Sequence, residues 1–151
     1  MKFEHKATIN APMDKVWSFL MDVPKVATCA PGVESVEAVE NDRYRGTLKV
    51  AVGPIKLALQ GDVYITARDD AAHKASMRAD AADKRAGGAV KAILNMSLNE
   101  GSEPGSTELL METDAQVMGR IGEFGQPIIR RKAEQTMNEF AENLRKAIAA
   151  T

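Results

Sequence analysis

Between Tyr44 and Ile65 the apolar residues switch from even to odd positions, and few chain paths accommodate that change. Ahead of Gly53-Pro54 they fall at Tyr44, Leu48, Val50 and Val52; after it they fall at Ile55, Leu57, Leu59, Val63 and Ile65. Cross-strand partners in a hairpin share a face, so a two-residue turn at Gly53-Pro54 requires this change of parity. The turn then sets Val52 opposite Ile55, Val50 opposite Leu57, Leu48 opposite Leu59 and Tyr44 opposite Val63. A centre one residue later would put Val50 opposite Ala58. Gly at the first turn position suits a type II′ turn, and Pro at the second needs no amide donor. The same register pairs Gly46 with Gly61 on the apolar face. Such a pair either lets the sheet coil sharply or leaves room for a guest.

The rest of the chain extends this two-residue period. Phe3, His5, Ala7 and Ile9 share one face of a first strand. Asn10 is the expected N-cap of a helix that carries Val16, Trp17, Leu20 and Met21, with Pro12 in its first turn. Pro24 stops that helix and starts a second, short one, which ends at Pro31-Gly32. "GVESVEAVEND" alternates weakly and reads as an edge strand whose glutamates discourage further pairing. Beyond the hairpin, "HKASMRADAADK", "GGAVKAILNMSLNE" and "GSTELLMETDAQVMG" are three more strands. From Gly119 the period becomes helical through Ile121, Phe124, Ile128, Ala133, Met137, Phe140, Leu144 and Ile148. Pro127 implies a kink, or a helix start close to it.

The expected order is one strand, two short helices, a six-stranded antiparallel meander and a long C-terminal helix, in a single domain over residues 1–151. One apolar sheet face needs cover, and the last helix supplies it. The inward residues are small or flexible: Ala75, Ala79, Ala81, Ala92, Ala115, the glycine pair and several of the eight Met. Sheet and helix need not fill the space between them.

Several function classes find no support. A net charge of −1 gives no basic field for nucleic acid. No apolar run reaches the roughly 18 residues of a membrane span, and the N-terminus is not a signal peptide. Cys29 is the single cysteine, which excludes an internal disulfide and makes the cytoplasm the expected compartment. His5, His73 and Cys29 lack metal-ligand spacing, so no metal site is expected. No nucleophile elbow or catalytic residue is evident. Asp62, Asp80, Asp83 and Asp114 read as solvated residues on polar strand faces. Gly119, Gly122 and Gly125 are either a flexible entry to the last helix or a loop opening a cavity mouth. Arg130, Arg131 and Lys132 form a short basic run, with Arg120 nearby. They are a solvated helix face or a docking patch for anionic lipid or an acidic partner.

Four segments together resemble one family. "APMDKVWSFLMD", "CAPGVESVE", "YRGTLKVAVGPIKLALQGDV" and "DAQVMGRIGEFGQPII" follow the order of the G-subunit family of carbon monoxide dehydrogenase accessory proteins. The resemblance implies an α+β, helix-grip (START-like, SRPBCC) fold: a curved antiparallel seven-stranded sheet wrapped around a long C-terminal helix. It also implies a non-enzymatic accessory role to a molybdenum hydroxylase, through membrane recruitment or a bound quinone. Many members carry an anchor after the domain; here the helix runs to Thr151, and no such anchor is expected. An enzyme of the cyclase or hydratase kind, or a pure interaction module, are the alternatives on this fold.

With that fold, an internal cavity becomes the expected site, holding a hydrophobic small molecule such as a quinone or lipid and no built-in cofactor. Its expected sheet wall is Leu48, Val50, Leu57, Leu59, Met77, Leu94, Met96, Met111 and Val117. Phe124, Ile128 and Met137 face them from the helix, and Trp17 and Leu20 close one end. The Met-rich strands are alternatively a homodimer face.

Overall fold

The computed structural model describes residues 1–151. Strand β1 (Lys2–Ile9) leads to helices α1 (Met13–Met21) and α2 (Val23–Ala27). Six strands follow: β2 (Val33–Glu40), β3 (Arg43–Val52), β4 (Ile55–Asp69), β5 (Lys74–Asp83), β6 (Gly88–Glu100) and β7 (Thr107–Gly119). A 3₁₀ turn (Arg120–Phe124) precedes helix α3 (Gln126–Ala149). The seven strands form one antiparallel sheet in the order β1-β7-β6-β5-β4-β3-β2. This is the expected α+β, helix-grip architecture.

The hairpin register agrees with the parity argument at every pair, including Gly46 opposite Gly61 and Val52 opposite Ile55. Gly53 has φ +57°, and proline cannot follow it into positive φ, so the turn is type II′. The glycine pair has a specific cause. A Cβ on Gly61 would lie 1.9 Å from the Asp80 carbonyl oxygen, and one on Gly46 would lie 2.6 Å from that of Ser35. The neighbouring strands coil over both positions, which favours the coiling account of the pair.

Several local expectations need correction. The N-cap of α1 is Pro12, not Asn10, and no side chain caps it. Pro24 does start α2, where the Asp22 carboxylate accepts from the Lys25 amide, but α2 ends at Ala27. Pro127 sits in the first turn of α3, where its missing N–H costs nothing, so the helix begins there rather than kinking. The helical period that starts at Gly119 is interrupted at Gly125, where φ is +82°.

Asp83 is not a solvated carboxylate. It is 7% exposed and shares the parity of Ala79 and Ala81. The β4–β5 ladder ends at Gln60–Ala82, and the Asp83 side chain takes over from it. One oxygen accepts from the Ala58 amide at 2.8 Å; the other accepts from Arg85 at 2.9 Å and Ala86 at 3.0 Å. The amides of Ala86 and then Ala58 stabilise the charged form, which holds this carboxyl below its usual range against the cost of burial. Its contribution is therefore present above about pH 4 and is lost as pH falls through the depressed value. Asp83→Asn leaves one oxygen for amides on two sides. Thermal melts should show it several degrees less stable at neutral pH, with the gap to wild type closing in acid.

Two packed clusters sit at opposite ends of the concave face. The larger joins α1, the ends of β1, β6 and β7 and the C-terminal half of α3, around Val16, Leu20, Leu109, Leu144 and Ile148. The smaller joins Val52, Leu57, Leu59 and Ile121 at the hairpin end. Small residues occupy the sheet between them. One row runs Tyr44–Val63–Ala79–Ala92–Ala115 and the next runs Gly46–Gly61–Ala81–Val90–Val117.

Candidate ligand-binding cavity

Over the β3, β4 and β5 members of those rows lies a cavity of about 420 Å³. The sheet contributes its floor, α2 and the start of β2 one wall, and the middle of α3 the roof. Nineteen of its 27 lining residues are hydrophobic, so its walls suit an apolar guest. The small side chains of Ala79 and Ala81 leave space below Met137 and Phe140 of α3, while Gly46 and Gly61 border the cavity where the neighbouring strands coil over them.

Eight residues expected from sequence lie in this wall: Leu20, Leu48, Leu59, Met77, Leu94, Met96, Met111 and Met137. Six lie elsewhere. Val50, Leu57, Val117 and Phe124 belong to the cluster at the hairpin end, because Ile121 of the 3₁₀ turn folds back and fills that end. Trp17 packs in the larger cluster, where its indole Nε1 donates to Asp70 at 2.9 Å and its ring meets His73 edge-on. It pins the β4–β5 turn. Ile128 lies on the outer side of α3 and is 44% exposed.

The sequence reading missed the α2 wall of Val23, Val26, Ala27, Ala30 and Pro31, and Val33 and Val36 of β2. Their helical and alternating apolar spacing is a legible signal, but it marks a buried face without telling core from cavity. Tyr44, Thr47, Val63, Thr113, Thr136 and Phe140 complete the wall.

Ionisable groups stay at its margin. Arg45 and Asp62 border the cavity, yet strand alternation turns both side chains to the convex face. There Asp62 receives Arg43 and Arg45, with Arg45 Nε at 3.0 Å. The Arg45 and Arg43 guanidiniums hold its carboxyl below the usual range. Asp62 is therefore committed rather than freely solvated. Tyr64 stacks under Arg78, whose guanidinium carbon is 4.4 Å from the ring centre. Cys29 is buried and burial pushes its thiol up, which disfavours the reactive thiolate. No three His, Cys, Asp or Glu side chains group to hold a metal ion.

The basic run is divided. Arg130 donates to the Lys2 carbonyl at 3.1 Å and lies over the Phe3 ring, so it ties α3 to β1. Arg120 and Arg131 are exposed and Lys132 is half-buried. The Gly119–Gly125 segment closes the hairpin end of the sheet through Ile121 and borders none of the cavity.

Solved structures share this architecture. A conserved protein from Geobacillus kaustophilus aligns with a TM-score of 0.90 at 21% identity, over 99% of this chain and 96% of that one. The Zhui aromatase/cyclase from Streptomyces sp. R1128 aligns at 0.70 with 19% identity, covering 99% and 93%. A START superfamily protein from Mycobacterium smegmatis aligns at 0.68 with 15% identity, covering 99% and 97%. At these identities the likeness shows the START-like fold and nothing of activity. No curated protein matches the sequence. The family model of the carbon monoxide dehydrogenase G-subunit (CoxG) matches residues 6–149, nearly the whole chain, and the protein belongs to that family.

Proposed function

We propose that this protein is a non-enzymatic accessory protein that carries a hydrophobic small molecule, a quinone or a lipid, between its sheet and α3. Through that guest, or by recruitment to the membrane, it serves a molybdenum hydroxylase of the carbon monoxide dehydrogenase type. The observation that carries the reading is the 420 Å³ apolar cavity, within the roughly 300–1,000 Å³ usual for small-molecule sites. Asp62, the carboxylate at its margin, is paired with Arg43 and Arg45 on the far face. Family membership supports the choice of partner.

The place of work is the cytoplasm, at the inner face of the membrane. No helix is long and apolar enough to cross a bilayer. Arg131 and Lys132, one helical turn from exposed Ile128, and Arg120 are the docking residues in this reading; Arg130 is left out because it is engaged with β1.

Calorimetric titration with short-chain menaquinone and ubiquinone analogues and with lipid tests the ligand directly. Trp17 lies outside the wall, so its fluorescence is a poor reporter. Saturable binding is expected. Ala79→Phe, which plants a ring on the cavity floor, should weaken it about tenfold or more with little change in melting temperature. Binding that survives this ring would place the guest elsewhere.

A further inference from the structure

Four residues that border the cavity carry a hydroxyl, Tyr44, Thr47, Thr113 and Thr136; Thr47 alternates with Gly46 and Leu48 and has the convex-face parity of Arg45, which leaves three. Thr136 donates its proton to the Lys132 carbonyl one helical turn back, at 2.9 Å. The other two differ. Tyr44 shares the inward parity of Gly46 and Leu48, and Thr113 that of Met111. Neither hydroxyl has a hydrogen-bond partner in the protein, and neither is sealed off, since no side-chain oxygen or nitrogen is both enclosed and unpartnered. Two free donors therefore open onto an apolar cavity.

Space lies beside each. Tyr44 heads a row whose next members, Val63 and Ala79, also line the cavity, so a guest can lie over Ala79 with one end at the phenol. Thr113 is in the adjoining row, next to Leu94 and Met77. Phe at 44 and Val at 113 would fill the same volumes with no hydroxyl to desolvate. A wall for pure hydrocarbon has no use for either donor, because an unpaired polar group loses free energy when a guest excludes water from it.

We infer that the cavity selects guests whose apolar body bears a carbonyl oxygen, and that the hydroxyl of Tyr44 on β3 or of Thr113 on β7, four strands apart in the sheet, donates to it. The inference rests on the cavity-carrier reading above and narrows its ligand class. A quinone ring ketone and a lipid ester both offer this chemistry.

Matched ligand pairs test it. Menadione and 2-methylnaphthalene share a carbon skeleton and differ in the two carbonyls. Dioctanoylglycerol and its dioctyl ether differ in the ester carbonyls. All four are titrated into the wild type and into the near-isosteric double variant Tyr44→Phe/Thr113→Val. The wild type should prefer the carbonyl member of at least one pair by about five- to tenfold, the effect of one or two neutral hydrogen bonds. In the double variant that preference should fall to parity or reverse, while affinity for the carbonyl-free member stays within about twofold. The pair that shows the preference identifies the source as quinone or lipid. Binding of all four without preference, or a preference that the double variant retains, overturns the inference and leaves the carrier reading standing. Saturable binding of none overturns both.

Discussion

Gly61→Ala should be among the most damaging single-methyl additions in this chain, destabilising it by about 3–4 kcal/mol. The methyl would lie 1.9 Å from the Asp80 carbonyl oxygen and 2.6 Å from the Ala81 Cα, both backbone atoms of a central strand. Relief requires β4 and β5 to separate where they pair, from Gln60–Ala82 to Asp62–Asp80. For a chain of this size the melting temperature should fall by roughly 10 °C. Gly46→Ala faces the Ser35 carbonyl at 2.6 Å, on an edge strand held from one side only, and should cost about half as much. Urea melts of the two variants decide the matter. Equal, small effects would mean that the sheet is flatter than described and that the glycines serve the cavity instead.

Leu144→Ala is expected to cost a similar amount, about 3–5 kcal/mol. Leu144 is fully buried in the larger cluster with Ile148, Leu20 and Leu109. Truncation there leaves a void enclosed by rigid neighbours. Met137→Ala, two turns earlier on α3, removes a half-buried side chain beside an existing cavity and should cost about 1–2 kcal/mol. The contrast tests the division of α3: its buried residues, Ala141, Leu144 and Ile148, all lie in the C-terminal half. Similar losses at 137 and 144 would show that the roof is as firmly packed as the anchor.

The sheet was largely legible because strand alternation and hairpin parity are local rules. Val52–Ile55 and Gly46–Gly61 follow from counting, and so does the meander. The misplaced details depend on contacts that counting cannot reach. Ile121 continues a helical period in sequence, yet Gly125 breaks the helix and Ile121 folds onto Val52 and Leu57. That one reversal removes Val50, Leu57, Val117 and Phe124 from the expected wall. Asp83 has an inward parity that its chemistry obscures, since only the end of the β4–β5 ladder supplies the amides that hold it. The α2 wall shows apolar spacing but no sign of an empty space in front of it. A cavity is defined by missing atoms, and only the small side chains of Ala79 and Ala81 record that in the sequence.

The sheet order has a consequence for how the chain assembles. Each strand from β2 to β7 pairs with its neighbour in sequence, so five of the six pairings close over short loops. The sixth is different: Ile9 meets Thr107 and Lys2 meets Asp114, and the terminal amine donates to the Ala115 carbonyl. During synthesis β1 emerges first and has no partner until β7 follows. The open flank of β7 stays bare until β1 reaches it, whereas the β2 flank is guarded by Glu34, Glu37 and Glu40. The early meander is thus protected against self-association on one side only, and the first strand of the sheet to be made waits for the last.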